Sequence, residues 1–193
     1  MFRRNRSSGF SSLTTSFIFA IILFLTSLAL GMGLASDVSA SMVEELRPLL
    51  KPAAELSSPG LLLLIFLNNA VKTLVVILLG VFLGLPPFVF VTFNGFLLGL
   101  LIQGLAPATG YAMVTAGLAP HGVIEIPMLL LATGLGLLIG KESLKWLIRR
   151  DSRVKLELSR ALRIYYQWIL VGLFVAALIE VFVTPHLVHL TEG

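Results

Sequence analysis

The sequence predicts an all-α, polytopic transmembrane helical bundle of about five spans. Hydrophobic residues make up 57% of the chain and charged residues 12%, about half the charged share of a soluble domain. Mean hydropathy is +0.98. Five apolar runs of 18 to 24 residues stand between short polar or proline-rich breaks. At a rise of about 1.5 Å per residue they reach roughly 27–36 Å, enough for a hydrocarbon core of about 30 Å. With no cysteine in the chain, disulfides, thiolate chemistry and Cys-based zinc or iron–sulfur sites are excluded.

The first run, Phe17–Ala35, follows Arg3, Arg4 and Arg6. A basic start, an apolar run and Val38-Ser39-Ala40 resemble a secretory signal. The 19-residue run exceeds the 7–15 residues of such signals, so it reads as a retained anchor. In the segment 36–60, Asp37, Glu44, Glu45 and Glu55 alternate with Met42, Val43, Leu46, Leu49 and Leu50. That pattern suits either an amphipathic segment lying on the extracytoplasmic surface or a solvated loop. Leu61–Gly84 and Phe88–Ala106 are the next two spans, joined at Gly84-Leu-Pro86.

The piece Ala108–Leu118 holds 11 residues, roughly 16 Å as a helix and too short to cross. Two Leu-Ala-Pro copies, at Leu105–Pro107 and Leu118–Pro120, bracket it. Proline ends helices and starts new ones, which predicts a re-entrant or interfacial half-helix. Val123–Gly140 is the fourth span, 141–164 a basic cytoplasmic loop, and Tyr165–Val183 the fifth span. Trp146, Tyr165, Tyr166 and Trp168 suit an aromatic belt.

Charge sets the predicted orientation. Arg3, Arg4 and Arg6, with eight basic residues between Lys141 and Arg163, total eleven on one side, against Arg47 and Lys51 on the other. A sixth crossing at 108–118 would move the large cluster outside, against the positive-inside tendency. Five crossings therefore place the N-terminus in the cytoplasm and the C-terminus outside. The basic cluster beside apolar residues can hold anionic lipid headgroups. No nucleic-acid module surrounds it, so nucleic acid is not an expected partner.

Packing signals are the small-xxx-small pairs Gly80/Gly84, Gly95/Gly99 and Gly136/Gly140, spacings that let helix backbones approach closely in lipid. They serve contacts within one chain or between two copies, and a homo-oligomer stays open. Glu125, Leu129, Ala132, Gly136 and Gly140 share one helical stripe, which points Glu125 into the bundle. The expected intramembrane polar network is Asn68, Asn69, Lys72, Asn94, His121, Glu125 and Glu180. Ionisable groups at such depth are costly and usually paired or functional. Lys72 has Glu125 or Glu180 as its partner, and sequence does not choose. A buried pair of this kind would cost about 3–5 kcal/mol to break by removing one member.

His121 and Glu125, four apart, share a face of a helix starting at Pro120. They are half of a metal site at most, since a catalytic zinc usually needs three protein ligands and no cysteine is available. No metal and no cofactor is therefore expected, and His186 and His189 lie far along in the tail. No serine-nucleophile, P-loop or dinucleotide signature is present, so no enzyme is expected.

Asn68/Asn69, Gly84-Leu-Pro86, Asn94-Gly95, Pro120-His-Gly-Val-Ile-Glu-Ile-Pro127 and Leu178-Ile-Glu-Val-Phe-Val-Thr-Pro185 together resemble the stage II sporulation protein M family of integral membrane proteins. The motif backbone is Pro120, Gly122 and Pro127. The founding member, the resemblance implies, is a membrane scaffold that recruits peptidoglycan-degrading partners during engulfment of the forespore. Relatives with the Pro-His-Gly form occur in archaea and non-sporulating bacteria, where no role is established. The expectation is a non-catalytic scaffold in the cell membrane that meets lipids and a membrane or envelope protein. The alternative is a small transporter or channel using Lys72, His121, Glu125 and Glu180.

Overall fold

A computed structural model describes residues 12–34, 56–149 and 153–191. They form seven helical elements: α1 Ser12–Leu34, α2 Ser58–Leu79, α3 Leu85–Thr109, α4 Tyr111–Arg149, α5 Val154–Ile164, α6 Leu170–Phe182 and α7 Thr184–Thr191. A five-residue π-helical turn, Tyr165–Ile169, joins α5 to α6. Among the described residues, five continuous helices are long and apolar enough to cross a membrane, counting Val154–Phe182 as one. The segment 36–60 lies outside the described residues as far as residue 55.

The central element is α4. It packs against α2, α3, α5, α6 and α7, and meets α1 where Leu130 joins Ala20, Phe24 and Val91. A second core gathers Ile77, Ala132, Leu135, Ile139, Ala161, Tyr165, Ile169 and Leu173 on its other side. Ala132 through Gly136 are consequently buried without interruption, as expected of a helix that is apolar all round.

The glycine pairs are the seams of this bundle. A Cβ added to Gly80 would lie 2.9 Å from Gly136 Cα. Gly140 abuts the backbone of Gly84, so the two pairs meet face to face where the turn after α2 crosses α4. A Cβ on Gly95 would lie 2.5 Å from the Phe24 carbonyl oxygen, while Gly99 abuts Leu28 and Gly31 on α1. All three predicted pairs thus serve contacts within one chain. The α2–α3 connection is a tight turn over 80–84 rather than the end of a 61–84 helix, with Leu83 at φ 57° and Gly84 at φ 76°. Pro86, in the first turn of α3, then opens that helix.

Two predicted elements are corrected. Residues 108–118 form no separate half-helix. Ala108 and Thr109 close α3, and Tyr111–Leu118 are the first turns of α4, a continuous helix of 39 residues that passes through Pro120 and Pro127. The chain breaks at Gly110 alone, where φ 84° and ψ 148° define a conformation almost restricted to glycine. Packed neighbours let membrane helices carry proline, so neither Leu-Ala-Pro copy ends its helix at the proline. The described residues of the segment 141–164, which read as a loop, are mostly helical. Lys141–Arg149 continues α4, and Val154–Ile164 is α5. Two of its acids tie these helical pieces to nearby basic groups. Buried Glu142 pairs with Lys145 and accepts the Arg153 N–H at 3.3 Å, while Glu157 pairs with Arg160 at 3.7 Å.

Candidate functional site

At about 1.5 Å per residue, α4 is roughly 58 Å long, about twice the hydrocarbon thickness. Its apolar stretch runs from Val123 to Gly140 and stops at Lys141. The helix is therefore longer than one crossing needs, with its basic residues gathered at the Lys141–Arg149 end. His121 and Glu125 stand at the head of the apolar stretch, one turn apart on one face. Glu180 occupies the last turns of α6, which finishes at Phe182, at the same end of the bundle.

The fold brings these three together. One nitrogen of His121 and one carboxylate oxygen each of Glu125 and Glu180 all lie within 4.8 Å of one another, and each residue is half-buried. His121 Nδ1 is a buried atom with no hydrogen-bond partner. Among the described residues, no hydrogen bond or ion pair within 4.0 Å engages any of the three side chains. Glu125 feels the charges of Glu180, His121 and Lys72.

Beside the triad, a cavity of about 610 Å³ opens between α1, α3 and the first half of α4, lined by Phe24, Asn94, Tyr111, His121 and Glu125 among others. Asn94 Nδ2 donates to the Phe90 carbonyl at 2.7 Å. Tyr111 donates to Gln103 Oε1 at 2.9 Å, bridging the Gly110 break.

The sequence-predicted network divides accordingly. His121, Glu125 and Glu180 meet directly. Asn94 shares the cavity wall with the first two. Lys72 lies within electrostatic reach of Glu125, but it is exposed and forms no ion pair within 4.0 Å with Glu125 or Glu180 among the described residues. The tight buried pair expected from sequence is not formed: from mid-α2, the ammonium stops short of the carboxylates. Asn68 is exposed and Asn69 half-buried, and neither side chain hydrogen-bonds to the triad among the described residues. In the motif backbone, Gly122 is buried, Pro120 half-buried and Pro127 exposed. Sequence reasoning missed Tyr111, whose signal was an aromatic hydroxyl beside Gly110, eight residues after Gln103.

The stage II sporulation protein M family model matches residues 20–185, which takes in every helix from most of α1 to the start of α7. The chain belongs to the stage II sporulation protein M family. It is also similar to a protein of Methanocaldococcus jannaschii named only as uncharacterized, with 29% identity over 124 residues, covering 62% of this chain and 68% of that one. No solved structure matches. This family member is thus a membrane protein with several spans, whose polar chemistry concentrates where the Pro-His-Gly motif of α4 faces the end of α6.

Proposed function

We propose that this member of the family is a non-catalytic membrane scaffold that recruits an envelope or membrane protein. The observation that carries the reading is the backbone-level contact of Gly80 and Gly84 with Gly136 and Gly140, repeated where Gly95 and Gly99 meet α1. Helices seated this closely cannot rock past one another without losing both seams, which suits a rigid platform better than alternating access. The positive-inside bias orients the platform with its N-terminus cytoplasmic and its C-terminus outside. Partners then meet α7 and the start of α4, where Leu187, Leu190 and Tyr111 are exposed. The basic end, with Arg149, Arg153 and Lys155, holds anionic headgroups.

A second reading, conduction of an ion, draws support from the triad and its cavity. One experiment separates the two. Purified protein in liposomes should move no protons, alkali cations or anions above empty vesicles. Photocrosslinkers at Leu187 and Leu190 in cells should capture one defined envelope protein that a crosslinker at Val89 does not. Flux that disappears in Glu125→Gln would overturn the scaffold reading.

A further inference from the structure

We propose that His121, Glu125 and Glu180 form a binding site for one divalent transition-metal ion of the zinc type. The site does not rest on the scaffold reading, since an ion held there would brace α4 against α6 in a platform or a conductor alike.

Three observations converge on it. The donor atoms lie within 4.8 Å of one another. Around a tetrahedral ion bonded at about 2.0–2.2 Å, donors sit roughly 3.4 Å apart, so side-chain movements of about 1 Å would close the set. His121 Nδ1 is buried and unpartnered, so the imidazole is not committed to another protein group through that nitrogen. The two carboxylates share this site with no hydrogen bond or ion pair among the described residues, which leaves their charge for a cation to balance. One imidazole with two carboxylates is a donor set for zinc and other first-row ions. Magnesium and calcium prefer all-oxygen shells, which this set does not supply.

Placement and support fit as well. All three ligands stand on helices, and α4 is locked at Gly136 and Gly140, so the donors are held by rigid elements. The triad lies at the head of the apolar stretch, and two of its members, His121 and Glu125, line a cavity of about 610 Å³, so space adjoins the donor atoms. Three protein ligands leave a fourth position for water. The opposing group is Lys72, whose charge Glu125 feels; it competes with the ion for that carboxylate.

The test uses full-length protein in lipid nanodiscs, stripped with chelator and titrated with Zn²⁺, then with Co²⁺ to read visible d–d absorption. Wild type should take up one ion per chain, with X-ray absorption of the zinc form showing a single imidazole. His121→Gln and Glu180→Gln should each weaken binding by at least about 100-fold, exceeding the 10–100-fold typical of supporting residues. Lys72→Met should bind more tightly, and His186→Ala should be unchanged. Circular dichroism and monodispersity confirm that each variant is folded. Absence of binding in wild type, equal affinity in folded Glu180→Gln, or loss of the ion on His186→Ala would each overturn the site. A wild-type spectrum with two or more imidazoles would do the same without any variant.

Discussion

Replacing Gly136 with alanine tests the seam that organises the bundle, and Gly33→Ala is its internal standard. Both glycines lie in helices, so both gain up to about 1 kcal/mol of intrinsic helix preference from the methyl group. The surroundings differ. At Gly33 an added Cβ meets nothing within 4 Å, whereas at Gly136 it lies 2.6 Å from Pro87 Cγ and 2.8 Å from the Val76 carbonyl oxygen. Ordinary contact begins at about 3.4 Å, so α3 or α2 must retreat by roughly 0.6–0.8 Å. A gap of that size forfeits about a quarter to a half of the dispersion energy along the contact, and overpacked sites generally lose about 1–3 kcal/mol. Since the helix-preference gain is common to both variants, Gly136→Ala should be about 1–3 kcal/mol less stable than Gly33→Ala. Reversible unfolding in mixed micelles, followed by circular dichroism, measures this. At about 2–4 °C per kcal/mol for a chain of this size, melting points should differ by roughly 2–12 °C. A difference below about 0.5 kcal/mol would show that the seam yields freely, and would remove the rigidity on which the scaffold reading stands.

Three further outcomes are expected. Gly110→Ala meets no atom within 4 Å but must hold φ 84°, so backbone strain alone should cost about 1–3 kcal/mol; an unchanged melt would show that the α3–α4 break relaxes elsewhere. Tyr165→Phe removes a buried hydrogen bond, 2.8 Å long, from its hydroxyl to the Ala70 carbonyl. The loss should be about 0.5–1.5 kcal/mol, at the low end because Thr73 also donates to that carbonyl at 3.0 Å. Finally, Glu180→Gln should change sign with metal. In chelator it removes one of two mutually repelling carboxylates and raises the melting temperature above wild type; in excess Zn²⁺ wild type gains by ligand binding and overtakes it. The same order in both conditions would mean that no ion couples α4 to α6.

Much of the molecule was legible along the chain because lipid imposes simple demands. Span number followed from apolar length and charge asymmetry, and the three glycine pairs identified their helices' contact faces. Glu125 was placed on the buried stripe by its spacing from Gly136 and Gly140. Errors came where local grammar met tertiary support. Pro107 and Pro120 read as breaks, yet α3 and α4 run through them, because packed neighbours tolerate a missing amide bond. Lys141–Ile164 read as a loop from its charge, but Lys141–Arg149 and Val154–Ile164 are helical, with Glu142 and Glu157 buried beside Lys145 and Arg160.

By itself the sequence determined the class, the number of spans and the surfaces that approach closely, since each depends on composition and period along one helix. Only the tertiary structure decided which carboxylate joins His121 and Glu125. Glu180 lies 55 positions beyond Glu125, and nothing in the spacing links them. The pairing arises because α6 packs on α4 with its last turn beside the Pro-His-Gly turn, and that alignment belongs to the assembled bundle.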